Sequence, residues 1–124
     1  MNYLVELERT FRAVQGLPSP VRARRGLAGI KQIEVTVKAS VAFAEDQLTD
    51  RGWFFDTDAA AEQLKACCAG LDARPWTEIF PFRPTFELVA RHLYGRLEPR
   101  LPQLTAVELR DRTFGVTTRY APAT

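Results

Sequence analysis

Hydrophobic and polar residues alternate in two stretches near the start of the chain. Val5, Leu7, Phe11 and Ala13 share one parity, and from Ile33 the positions Val35, Val37, Ala39, Val41 and Phe43 are apolar against Glu34, Thr36, Lys38 and Ser40. Successive side chains of a strand point to opposite faces, so both stretches predict long strands with one buried face. The segment between them, GLPSPVRARRGLAG, is broken by proline and glycine and predicts a loop, long enough to be functional. After the turn residues Asp50-Arg51-Gly52 the period changes. Asp56-Thr57-Asp58 offers an acidic N-cap to AAAEQLKACCAGL, where Leu64, Cys67, Cys68 and Leu71 recur at helical spacing and Gly70 stands where a C-cap belongs. The proline-rich RPWTEIFPFRP separates this helix from a second one. That helix starts at Thr85, behind Pro84, and carries Phe86, Val89, Leu93 and Leu97 on one stripe until Pro99 and Pro102 stop it. The tail alternates again around Phe114-Gly115 and predicts a closing hairpin.

The predicted order is strand, strand, helix, helix, strand, strand. Grouped helices beside alternating strands predict an α+β fold, an antiparallel sheet with two helices on one face. At 124 residues the chain is expected to form a single domain over 1–124.

Composition narrows the function classes. No window approaches the roughly 18 uninterrupted apolar residues of a membrane helix, and the acidic start MNYLVELERT lacks the basic end and apolar run of a signal peptide. A cytoplasmic protein with no membrane partner is expected. Cys67 and Cys68 are sequence neighbours in a helical pattern and cannot staple distant segments, so they read as two small buried helix residues in a reducing compartment. A net charge of +2 is too small to advertise nucleic acid as partner. The cations are nearly all arginine, which grips planar anions with a rigid fork, although genome composition gives the same bias.

Five short motifs, in order and nearly from end to end, resemble the 6-pyruvoyl-tetrahydropterin synthase family and its 6-carboxy-tetrahydropterin synthase branch. They are Phe11-Arg12-Ala13-Val14-Gln15-Gly16-Leu17, Ile33-Glu34-Val35-Thr36-Val37, Gly52-Trp53-Phe54-Phe55-Asp56, Leu71-Asp72-Ala73-Arg74 and Arg83-Pro84-Thr85-Phe86-Glu87. The resemblance implies a tunnelling fold (T-fold, ββααββ) assembling into a homo-oligomeric barrel, a hexamer or another ring, with active sites at subunit boundaries. It also implies a zinc ion, held by one histidine of the first motif and two of a His-x-His before the second strand. Here those positions are Gln15, Leu27 and Gly29, and the chain's single histidine lies elsewhere. The family's nucleophilic cysteine falls in Val21-Arg22-Ala23-Arg24-Arg25, which has no thiol, and its partner histidine falls on Ala73. Zinc needs imidazole, thiolate or carboxylate ligands, so no metal and no cofactor is expected.

The resemblance carries Thr85 and Glu87 over as pocket residues, and Asp111 as the carboxylate that would meet a guanidine-like edge of the ligand. Each has a bland reading beside it. Thr85 with Glu87 is an ordinary N-cap with an acid in the first turn, and Asp72 caps a turn before Arg74-Pro75 equally well. Asp111, in the middle of an alternating strand, is expected to face solvent, pair with a neighbour such as Arg110 or Arg112, or look into a pocket. Arg22, Arg24 and Arg25 either enter the old metal cavity and bind an anionic substrate or form a solvated basic loop; Arg74 and Gln15 complete the binding candidates. His92 reads as a packed or rim histidine, and Trp53 and Trp76 as core or interface anchors. Two functions remain open. One is a metal-free acid–base enzyme with Asp111, Glu87 or Asp72 as catalytic groups, performing a cyclisation, aldol-type or isomerisation step on a small conjugated or heteroaromatic molecule, in natural-product biosynthesis. The other is a non-catalytic binding or scaffold subunit, and on either view a pterin-pathway lyase label would rest on similarity alone.

Overall fold

The computed structural model describes residues 2–72 and 74–122, so Ala73, the position matched to the family's histidine, lies outside the described residues. Four strands, β1 (Tyr3–Ala13), β2 (Ile33–Phe43), β3 (Leu104–Asp111) and β4 (Val116–Tyr120), form one antiparallel sheet in the order β1-β2-β3-β4. Between β2 and β3 lie α2 (Thr57–Cys68), α3 (Trp76–Ile79) and α4 (Phe86–Leu97). The expected α+β arrangement of two principal helices against one face of the sheet is what the structure shows. The predicted loop between the first two strands also contains a short helix, α1 (Pro20–Arg24). Its start is locally encoded, because the Ser19 hydroxyl accepts the Arg22 N–H while Pro20 occupies a first-turn position that needs no donor.

The parity of β2 divides the sheet. Val35, Val37, Ala39 and Val41 are fully buried against Leu64, Val89, Leu93 and Leu97 of α2 and α4. The opposite face is polar. There the Thr10 and Thr36 hydroxyls bond at 2.8 Å, Lys38 bridges Glu6 and Glu108, and Arg119 reaches Glu108 at 3.7 Å. Hydrogen bonds that its ammonium donates to Glu6 first, then Glu108, hold Lys38 above its ordinary pKa.

Local capping sets the helix entries. The Asp56 carboxylate accepts the Asp58 and Ala59 N–H groups, and the Thr85 hydroxyl accepts the Leu88 N–H. At the end of α2 the structure departs from the glycine-cap expectation, since Ala69 is the cap and Gly70 keeps a negative φ. Cys67 and Cys68 are buried free thiols, as their helical spacing implied. Trp76 is fully buried in the core and donates its indole N–H to the Leu71 carbonyl at 2.8 Å. Trp53 is 47% exposed and is no core anchor.

Candidate functional site

The site begins where β1 ends. The Trp76 N–H donates to the Val14 carbonyl, which ties α3 to the strand end. One residue on, the Gln15 side-chain amide donates to the Pro84 carbonyl at 2.9 Å, beside the Thr85 cap of α4. Gly16 then turns the chain at φ +83, and a Cβ there would lie 2.7 Å from the Thr77 hydroxyl oxygen, so the position is closed to other residues by both conformation and space. These three successive anchors make a floor. Segment 17–32 folds over it as a roof.

Between floor and roof lies a cavity of about 510 Å³, within the usual range for small-molecule pockets. Leu17, Ile30 and Ile33 give it apolar walls, while Gln15, Arg22 and Lys31 supply polar and cationic groups. Among the described residues its lining contains no imidazole, thiol or carboxylate. Gln15 and Leu27, two of the three positions matched to zinc ligands, do meet in this lining, and Gly29 lies between two lining residues, Ala28 and Ile30. An amide whose nitrogen is committed to Pro84, an aliphatic chain and a glycine do not fit a zinc ion, which takes nitrogen of imidazole, thiolate sulfur or carboxylate oxygen. Nor does any group of three His, Cys, Asp or Glu residues that could hold a metal occur among the described residues.

The inner wall is built on a pair that sequence reasoning did not foresee. Asp111, at the last position of β3, is 0% exposed and stands on the core face opposite Val35. One carboxylate oxygen accepts from Arg22 of α1 at 3.0 Å, and the other accepts the Phe114 N–H at 3.0 Å. The Arg22 guanidinium carbon lies 3.8 Å above the centre of the Phe114 ring, so the cation is both ion-paired and stacked. The partner is therefore neither Arg110 nor Arg112; the Arg112 side chain pairs with Glu34 instead. Parity with the buried Val107 and Leu109 was the available signal that Asp111 points into the core.

The remaining candidates are dispersed. Thr85 is half-buried and engaged as a helix cap, whereas Glu87, Asp72, Arg24, Arg25 and Arg74 are exposed and outside the cavity lining. Asp111, Glu87 and Asp72 are not among the residues that line the cavity. His92 packs beside the stacked rings of Phe80 and Phe82, at ring separations of 5.2 and 5.5 Å. Burial first, then the neighbouring Arg96 charge, push its imidazole below the ordinary pKa.

An antiparallel four-stranded sheet with helices packed on one face and a cavity at the end of the first strand defines a T-fold domain. The model of the family described as 6-pyruvoyl tetrahydropterin synthase matches residues 34–122, and the chain belongs to that family. The solved structure of 6-pyruvoyl tetrahydropterin synthase from Caenorhabditis elegans has the same fold, with a TM-score of 0.68 at 16% identity, covering 98% of this chain and 97% of that one. No curated protein sequence matches the chain. Among the described residues no helix is long and apolar enough to cross a membrane.

Proposed function

We propose that this chain uses the pterin-synthase scaffold, without metal, to bind a small anionic molecule with a planar apolar body. The cavity lining carries the proposal: two cations stand among apolar walls, Lys31 with no ion-pair partner among the described residues and Arg22 with donors beyond the one that Asp111 engages from outside the lining. Such a site favours a carboxylate or phosphate through charge-assisted hydrogen bonds, and takes the apolar body out of water against Leu17, Ile30 and Ile33. The test is a thermal-shift and calorimetric panel of pterins, purines, aromatic carboxylates and phosphates. Binding of an anionic aromatic that weakens at least tenfold in Lys31→Gln supports the reading; uncharged analogues binding as well as anions would sink it.

Acid–base catalysis on the same scaffold is a second reading, favoured by one observation. The Gln15–Pro84 hydrogen bond brings the first turn of α4, with Thr85 and Glu87, to the end of the molecule that holds the cavity. In that reading Glu87 moves a proton while Arg22 stabilises developing negative charge, as a cyclase, aldol-type lyase or isomerase requires, in natural-product biosynthesis or elsewhere. Turnover of a bound ligand that is lost in Glu87→Gln with binding intact would establish it.

Assembly into a homo-oligomeric ring accompanies both readings. Among the described residues the outer strands β1 and β4 have unpaired edges, with Leu4 60% and Val116 53% exposed on them. Glu8, Lys38, Glu108 and Arg119 lie in one cross-strand row, so acid stands at the β1 rim and base at the β4 rim. Antiparallel pairing of β4 of one copy with β1 of the next continues both the ladder and the alternation of charge. A monomer by light scattering at micromolar concentration would remove this proposal.

A further inference from the structure

The roof of the cavity is attached to the body of the molecule in an unusual way. Among the described residues, the hydrogen bonds made by 17–32 stay within that segment: Ala23, Arg25, Gly26 and Leu27 donate to Ser19, Arg22 or Ala23, and Ile30 to Leu27. The one exception is the Arg22–Asp111 pair. No residue of the segment is fully buried and only Leu17, Ser19, Arg22 and Leu27 are half-buried, so packing replaces little of the missing bonding. Gly16, at φ +83, stands where roof meets floor, and Gly26, at φ +73, lies within the roof. A stretch with few buried contacts and one strong tie opens locally, at lower free energy than the whole fold.

We propose that segment 17–32 is a lid and that Asp111 is a positioning residue, whose carboxylate latches the lid by holding the Arg22 guanidinium flat on Phe114. Asp111 suits the task because it is immobile. It is fully buried at the end of β3, a central strand of the sheet, and its second oxygen is fixed by the Phe114 N–H of the hairpin turn. Arg22 has five N–H donors, and Asp111 engages one nitrogen of them, which leaves further donors on a residue that lines the cavity. The pair thus sets the direction of the cavity's inner cation while keeping the lid down. The effect on ligand rests on the binding proposed above; the latch itself does not.

The test is native-state trypsin digestion of the full chain, with the cleaved bonds identified by mass spectrometry. Arg24 and Arg25 are exposed cutting sites inside the lid, while Lys65 in α2 and Arg91 in α4 report on the body. Asp111→Asn can retain the oxygen that accepts the Phe114 N–H, while the charged acceptor facing Arg22 becomes an NH2 group that cannot accept from it. Cleavage after Arg24 and Arg25 should accelerate at least tenfold, with less than a twofold change at Lys65 and Arg91. Asp111→Glu, which restores the carboxylate, should recover most of the protection. Arg22→Gln should reproduce the lid cleavage from the other partner, with the Arg24 and Arg25 sites intact. Equal acceleration at every site, or none in the lid, overturns the latch, and so does protection that Asp111→Glu fails to recover. Addition of phenyl phosphate, with phenol as the uncharged control, separates the two proposals. Slower lid cleavage with phenyl phosphate alone supports the binding reading, and no difference between the two compounds counts against that reading without touching the latch.

Discussion

Floor and roof of the cavity are neighbours in sequence, yet they are held by different physics. The floor, Val14 to Gly16, is fixed by a backbone bond to the buried Trp76, a side-chain bond to the buried Pro84 and a close steric fit to Thr77. The roof depends on one ion pair reaching 89 residues along the chain. A continuous core makes the floor fail only when the fold fails, whereas the roof can fail alone.

The largest way to break the contrast is at the floor's support. Trp76→Ala removes a fully buried indole and is expected to cost about 3–5 kcal/mol in urea unfolding, with cavity and core lost in one transition. Gly16→Ala forces a left-handed φ on a residue with a Cβ and overlaps Thr77, for about 1–3 kcal/mol by the same measurement. At the roof, Arg22→Gln leaves the Asp111 charge buried without its counterion and should cost about 1–3 kcal/mol, visible chiefly as early hydrogen exchange in 17–32. Gln15→Leu deletes one half-buried hydrogen bond, about 1 kcal/mol; it should shift unfolding without exposing the lid. The smallest effect concerns His92. Its folded-state pKa is lowered, so the unfolded chain binds the proton more readily, and this contribution is complete above the ordinary imidazole pKa and lost as pH falls through the folded value. His92→Gln should therefore flatten the decline in melting temperature from pH 7 towards pH 5, with the floor and roof otherwise unchanged.

How much of this was legible in the sequence follows the same division. Strand β2 could be read because every other residue is apolar over its length, and α2 and α4 because Asp56 and Thr85 announce their starts locally. Helix α1 was hidden among breaker residues, although Ser19-Pro20 is itself a start signal. The Gln15–Pro84 contact and the Arg22–Asp111 pair depend on how distant elements dock, which no spacing along the chain records. Expecting Arg110 or Arg112 beside Asp111 looked along the strand, but adjacent residues of a strand face opposite ways. The motif resemblance located the cavity through Gln15 and Leu27; it did not reveal which carboxylates would stand away from it.

The paired thiols at the end of α2 supply a chemical clock for one half of this division. Cys67 and Cys68 are buried, and burial raises both, Cys68 to about 12, so neither presents a reactive thiolate to solvent near neutrality. Alkylating reagents must wait for the helix to leave the sheet. Their rate of uptake therefore counts excursions of the whole interior, and it should be indifferent to how often the lid swings.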